Sequence, residues 1–542
     1  MQRMFRKNDG HLQEELFSHY QTMNPKIAKM LKDTWAPIFY EHVFCKIDEE
    51  VFAPLYCFDN GRPNFPVNIL LSLELIKNMF DYTDEEILEQ FYFNYQVIYA
   101  LGIKNIGEIY FAERTLYEFR ERLVNYVKEH PDEEEIMFKQ FEILTRHFID
   151  KANIKTDEQR MDSTYVTPNI KRAGRLSLAY DFLEKAVKAI PQKHLSNSLK
   201  EVLEPSFKTK LLFKTKASKI NAKLETVLIL CTEIYDLAKA KQLTSKEEIK
   251  LLARFLNEQA HYDTEKKVWV PEDNKEISSA SMQSAHDTDA TFRNKNGKTN
   301  QGYVVNLAET CSKDNPVQLI TDYDLDVNIK SDTELARKRV DTIKKNTDVT
   351  DLYVDGGYYG EETINKADEA EVKLHFTDMT GRKSTSNKLP LTNFNFNEEH
   401  EVEKCPAGKI PLRSDYSKKS KSTTTHFEKS ECLYCPIREH CPVKPQKKSM
   451  VLRASKKAIL AANTRQEISK KEIRRENTSK RAAIEGTNSA IKRGQGANKL
   501  RVRGLIKCQL QIGLKVIGHN FKQFSRAMNK PKPKGREVVC PM

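Results

Sequence analysis

Gly302-Tyr-Val-Val-Asn-Leu-Ala308, Val317-Gln-Leu-Ile-Thr-Asp-Tyr-Asp-Leu325 and Leu352-Tyr-Val-Asp355-Gly-Gly-Tyr358 decide the fold of this chain. The β-branched and aromatic content of the first two predicts a pair of strands, and the third is an apolar strand stopped by an acidic residue and two glycines. A polar helix is predicted between the second and third, over about residues 332–345, and another after the third, over about 361–370. Upstream, Arg160-Met-Asp-Ser-Thr-Tyr-Val166 is strand-like, and downstream Val372-Lys-Leu-His-Phe-Thr377 adds a last strand. The resulting βββαβαβ order predicts a mixed α/β sheet.

Before residue 150 the pattern is helical. In the segment Pro66 to Phe80, Ile69, Leu70, Leu73, Ile76, Met79 and Phe80 recur at spacings of three and four, an apolar helix stripe. Thr83-Asp-Glu-Glu86 supplies a capping box for a helix carrying Ile87, Leu88 and Phe91. A third helix, Glu113 to Leu123, sets Leu116, Phe119 and Leu123 inward and several Arg outward. Short helices with basic outer faces suit helix-turn-helix DNA binding and a plain helical bundle equally. Between the first two strands, from about Leu176 to Leu256, a stripe of Leu224, Val227, Leu228, Cys231, Ile234 and Leu237 predicts a helical insertion. The last helices fall around Glu485 and over Ile506, Leu510, Leu514, Ile517, Phe521 and Phe524. The expected division is an all-α domain over 1–150 and an α/β domain over 155–528, with a helical insertion at 170–265 and a Cys-rich insertion at 380–455. A basic tail follows over 529–542, where alternating Lys and Pro predict disorder.

At 542 residues the chain exceeds what one apolar core serves. No stretch approaches the ~18 uninterrupted apolar residues of a membrane span, and the N-terminus lacks a secretory signal, so a cytoplasmic protein is expected. Of the net charge of +13, residues 441–542 supply +21, from 26 Lys and Arg against 5 Glu and no Asp, which leaves residues 1–440 at −8. Such a concentration attracts polyanions and points to nucleic acid, with a solvated Lys-rich tail as the plainer alternative.

Phosphoryl transfer by two metal ions needs carboxylates converging from separate elements, because neighbouring cations repel unless negative charge is concentrated around them. Asp162 in a strand, Asp355 at a strand end and Glu485 on a helix are candidates, although none is specific taken singly. Asp289, in a turn-like setting, is a rival better suited to hydrogen bonding. Four cysteines cluster at Cys405, Cys432, Cys435 and Cys441, and a C-x2-C pair with two further thiolates can ligate a structural zinc. The gap before Cys432 is long for such a module; His426 or His440 are substitute ligands, and reduced thiols are the alternative. Asp322-Tyr-Asp-Leu-Asp326 is no calcium loop, since Val327 stands where the glycine is required. Gly356-Gly357 is followed by no phosphate-binding glycine motif.

The PVNILL helix, DYTDEEILEQF and ERTLYEFRERL resemble the N-terminal domain of many insertion-sequence transposases. MDST, GYVVNLAE, VDGGYYG and IEGTNSAIKRGQGANKLRVRGL resemble the catalytic blocks of bacterial DDE transposases of the same group, in order from about residue 60 to 525. The resemblance implies an RNase H-like core in which Asp162, Asp355 and Glu485 hold Mg²⁺ or Mn²⁺. It implies cleavage at transposon ends, strand transfer into target DNA, and a homodimer on DNA in the nucleoid. Relatives carry Tyr, Arg, Glu and Lys at fixed spacing around the glutamate; this chain keeps Arg481, Glu485 and Lys492, on one helix face by spacing, but has Thr478 in place of the tyrosine. Arg481 and Lys492 are thereby expected to contact DNA phosphates, and handling of a flipped base is in doubt. A catalytically silent DNA-binding derivative and a nuclease without strand transfer are the competing readings.

Overall fold

The computed structural model describes residues 5–13, 18–57, 63–295, 297–379 and 388–529, so the predicted basic tail lies outside the described residues from 530 onward. Helices α1 (Trp35–His42), α2 (Val67–Phe80), α3 (Asp84–Phe93), α4 (Arg114–Glu129) and α5 (Ile136–Ala152) lead into the sheet. The capping box forms, with Thr83 Oγ1 accepting from Glu86 N at 3.1 Å and Glu86 Oε2 from Thr83 N at 2.7 Å. α2 is buried all round from Val67 to Met79 rather than along a stripe. Phe80, assigned to that stripe by spacing, is partly exposed, with Lys522 Nζ 5.1 Å from its ring centroid. In α4, Leu116, Phe119 and Leu123 point inward, but Arg120 turns inward as well, pairing with Glu74 of α2 at 2.6 Å and with Asp84. Glu74 is buried, and a buried carboxylate without a partner is strongly destabilising.

After β1 (Glu158–Val166), helices α6 (Arg175–Ala189), α7 (Ile220–Ala240) and α8 (Glu247–Gln259) close an apolar cluster of their own, in which Leu224, Val227, Leu228, Cys231 and Ile234 are buried. The chain then returns to the sheet through β2 (Thr291–Lys295), β3 (Lys298–Thr310) and β4 (Ile320–Val327). α9 (Asp332–Asn346), β5 (Asp351–Val354), α10 (Glu361–Glu369) and β6 (Lys373–Phe376) follow in the predicted order. β1 is central, antiparallel to β3 and parallel to β5; β6 extends the sheet beside β5, and β2 and β4 both pair with β3. The protein is thus mixed α/β behind a helical N-terminal region. The acidic run in β4 has a structural explanation: period two puts Asp322 and Asp324 on one face, against Arg339 (2.5 Å) and Lys338 (2.8 Å) of α9.

The Cys-rich segment contains a four-stranded sheet of β7 (Arg413–Ser417), β8 (Ser422–Phe427), β9 (Lys444–Pro445) and β10 (Met450–Ser455), with a small core of Phe394, Val402, Phe427, Met450 and Leu452. Helices α11 (Lys456–Ser469), α12 (Lys471–Ala482), α13 (Ile484–Ser489) and α14 (Leu505–Met528) end the described chain. One apolar cluster joins the N-terminal helices to β3, β4 and α14, with Leu510, Leu514, Ile517, Phe521 and Phe524 buried in it. No helix among the described residues is long and apolar enough to cross a membrane.

A polar lock fastens the N-terminal helices to this last segment. Asp81, left-handed (φ 58°) at the end of α2, faces Lys515 Nζ of α14 at 3.3 Å, and its carbonyl accepts from Arg501 at 2.8 Å. Gln495 donates to the Lys515 carbonyl at 2.9 Å. Gly496 has φ +68°, and a Cβ there would collide with the Asp81 carboxylate. We therefore expect Gly496→Ala to destabilise the protein by at least about 1–2 kcal/mol in urea unfolding, with part of the loss recovered in the Asp81→Ala background.

Candidate active site

Strand period decides what meets the C-terminal helices. Met161 lies with Ala308 in the core under α9 and α10, so Arg160, Asp162 and Thr164 project from the opposite face of β1. α12 and α13 are held on that face at close intervals. Asn477 donates to the Phe376 carbonyl at 3.1 Å, and Lys480 Nζ reaches Glu158 at 2.5 Å and Tyr353 Oη at 2.9 Å. Glu309 of β3, buried beside Arg160 at 2.7 Å, accepts from Thr487 Oγ1 at 2.6 Å, while Arg160 also donates to the Lys480 carbonyl at 3.1 Å.

These anchors bring Asp162, Asp355 and Glu485 around one guanidinium. Arg481 Nη2 lies 2.8 Å from Asp162 Oδ1 and 3.6 Å from Asp355 Oδ2, and Nη1 lies 2.7 Å from Glu485 Oε1. The second Asp162 oxygen accepts from Asn488 Nδ2 at 3.1 Å. Burial pushes the Asp162 carboxyl up to about 6, Arg481 opposes that rise, and Asp355 adds to it. For Arg481, burial works against the charge, but Asp162, Asp355 and Glu485 outweigh it and hold the guanidinium above its ordinary range. Glu485 is the open side of the group, with 65% of its side chain exposed.

Lys492 is two strand positions further on, its Nζ donating to Thr164 Oγ1 at 3.1 Å, with burial lowering its pKa. The single regular helix implied by the spacing of Arg481, Glu485 and Lys492 is not what forms. α12 ends at Ala482, α13 covers Ile484–Ser489, and Ala490–Gly494 is a wider π-type turn. Asp289 is not among the carboxylates on Arg481; its Oδ2 accepts from Leu505 N at 3.3 Å, while neighbouring Asp287 accepts from Gly504 N and Tyr303 Oη.

Two participants had escaped notice. Asn488 is three residues after Glu485, which places it within the same turn of helix as the carboxylate; the spacing was the available signal. Asp332, the first residue of α9, accepts from Ser163 Oγ at 2.7 Å, and a Cβ on Gly357 would lie 2.6 Å from Asp332 Oδ2 and 2.9 Å from Asp355 Oδ1. Gly357 therefore lets a fourth carboxylate approach Asp355, while its own N–H donates to Asp355 Oδ1 at 2.8 Å. No residue but glycine leaves that space free.

The four clustered cysteines form no disulfide and line one small cavity with Phe427 and Arg438. Burial pushes Cys432 up to about 11, and Cys441, Cys405 and Cys435 add to the rise. His426 does not line that cavity, and its Nδ1 lies 2.9 Å from Ser449 Oγ. Among the described residues no three of His, Cys, Asp and Glu close to metal-ligating geometry. At the carboxylates, a guanidinium stands between the ligands. Three hard oxygen donors gathered on one cation are nevertheless a donor set suited to Mg²⁺ or Mn²⁺.

Residues 30–122 match the model of a transposase domain of the DUF772 type, and residues 404–525 match that of a transposase DDE domain. The second match takes in Arg481, Glu485 and Lys492 but neither Asp162 nor Asp355, which the fold brings to it. No curated protein and no solved structure matches the chain. Two transposase models, matched over residues 30–122 and 404–525 in the order the resemblance requires, together support an insertion-sequence DDE transposase.

Proposed function

We propose that the protein is a DNA transposase that cuts at the ends of its element and joins the freed 3′ ends to target DNA. The observation that carries this reading is the meeting of three carboxylates, from β1, the end of β5 and α13, on a single cationic group. The sheet order, with the first aspartate on the central strand and the second at the end of its parallel neighbour, supports an RNase H-like core. We read residues 1–150 as the helical DNA-binding domain and 155–528 as the catalytic domain, with insertions at 170–265 and 380–455.

Asp162, Asp355 and Glu485 would hold two Mg²⁺ or Mn²⁺ ions, which supply Lewis acidity to the attacking and leaving oxygens of an in-line displacement. The chain's own part is positioning. Asn488 fixes the second oxygen of Asp162 and so orients the first. Arg481 and Lys492 border the carboxylates and suit phosphate oxygens, the one as a planar fork and the other as a point charge. The positive charge of residues 441–542 supplies sequence-independent affinity for DNA. Pairing of two element ends calls for a homodimer on DNA, acting in the cytoplasm at the nucleoid. Cys405, Cys432, Cys435 and Cys441 would hold a structural zinc, which suits a module whose apolar core is as small as this one.

The test is cleavage of a labelled duplex bearing the element's ends, with Mg²⁺, Mn²⁺ or EDTA. Asp162→Ala, Asp355→Ala and Glu485→Ala are each expected to lower metal-dependent nicking by roughly 10³-fold or more while DNA binding persists. Wild type that binds but never cuts would leave a silent DNA-binding derivative, and nicking without joined product would leave a nuclease. Asn488→Ala should cost about 10–100-fold in the same assay, as expected for a group that orients a metal ligand. Purified protein should contain one zinc per chain by elemental analysis, and Cys435→Ser should lose it; zinc-free wild type with unchanged stability would remove the zinc from this account.

A further inference from the structure

Arg481 presents a contradiction that the proposed chemistry must resolve. Its guanidinium nitrogens stand 2.7, 2.8 and 3.6 Å from oxygens of Glu485, Asp162 and Asp355. Mg²⁺ sits about 2.0–2.1 Å from its carboxylate ligands, so the guanidinium and the metals claim the same oxygens. Both cannot be served at once. The side chain is largely buried, at 17% exposure, and its Nε has no hydrogen-bond partner among the described residues. The three carboxylates supply its ion pairs there. It also stands in the last turn of α12, next to the break at Ala483, with the exposed Glu485 side chain marking the way out to solvent.

We propose that Arg481 is a resident counter-cation that keeps Asp162, Asp355 and Glu485 gathered in the metal-free enzyme and is displaced when divalent metal enters. Without a cation, three carboxylates from three elements repel one another, and two of the three are carried on a strand or strand end that cannot move far. The arginine holds their spacing in reserve. Metal brings more charge at shorter range and wins the oxygens. The released guanidinium then has no carboxylate partner and is free to take a phosphate at the mouth of the site, which couples metal loading to DNA engagement. Arg481 is a positioning residue in the first state and a phosphate ligand in the second. This inference rests on the metal-binding reading above.

The test is Mn²⁺ titration of the full-length protein without DNA, following free Mn²⁺ by electron paramagnetic resonance. It compares wild type, Arg481→Met, Arg481→Lys and, to identify the site, Asp162→Asn. Removing a competing positive charge should tighten Asp162-dependent Mn²⁺ binding by about tenfold in Arg481→Met, with Arg481→Lys near wild type. Thermal unfolding supplies a second readout: Arg481→Met should melt lower than wild type in EDTA and gain more from Mn²⁺. Loss of a merely structural arginine would also lower melting in EDTA, but would bring neither tighter Mn²⁺ binding nor a larger gain from Mn²⁺. Affinity unchanged or weakened in Arg481→Met, with Arg481→Lys folded and behaving alike, would overturn the exchange. Wild type showing no Asp162-dependent Mn²⁺ binding would instead overturn the metal reading itself, a result distinct from the first.

Discussion

Like charge brought together is the constraint on which this structure turns. Asp162, Asp355 and Glu485 come from a central strand, a strand end and a helix, and they stand together because a guanidinium shares all three. The elements that carry them need fastening strong enough to resist the repulsion. Polar pairs between sheet and helix do this: Arg160, itself paired with Glu309 across the sheet, with the Lys480 carbonyl, Thr487 with Glu309, and Lys480 with Glu158 and Tyr353. Each satisfies a group whose burial alone would be costly, so loosening one would expose the others to the same cost. The helices that bear Arg481 and Glu485 are fixed by polar contacts more than by apolar ones. α12 in particular buries only Asn477 and Lys480.

Much of the sheet was legible in the sequence because its signals are local and periodic. Apolar runs stopped by turn residues give β5 and β6, and the α9 helix announces itself with a Ser331 cap closed by Glu334. β4 begins at Ile320, three residues later than the apolar pattern suggested, after the turn from Ser312 to Asn315. The three carboxylates were found through resemblance; nothing in their separation along the chain predicts that they meet. Residues whose partners lie far away left no trace at all. Glu309 and Thr487 are 178 positions apart, and Ser163 and Asp332 are 169 apart. Arg120 looked like one more outward arginine until the buried Glu74 gave it a reason to turn in. The π-type turn after Ser489 likewise has no pattern of its own; it shows only in the fold, where Lys492 must reach Thr164.

The glycine-rich stretch after Glu485 serves the junction with the N-terminal helices. Gln495 and Gly496 seat against α2 and α14, and Gly504 N is bound by Asp287 at 2.8 Å. Thr167, just past β1, bridges to Lys499, so the strand that carries Asp162 continues directly into contact with this stretch. The Asp162 carboxylate, the glycine-rich connection and the N-terminal helices are thus linked through a short series of backbone and side-chain contacts.

That junction has a consequence for how the protein is made. α2 is buried on all sides, and α14 is one of its walls. More than four hundred residues separate the two, which at a synthesis rate of roughly 5–20 residues per second is a wait of tens of seconds. During that interval the nascent N-terminal helices carry an open apolar flank, a natural substrate for ribosome-associated chaperones. The carboxylates cannot assemble until α12 and α13 have emerged, so a ribosome stalled anywhere before them yields a chain in which Asp162 and Asp355 lack both Arg481 and Glu485.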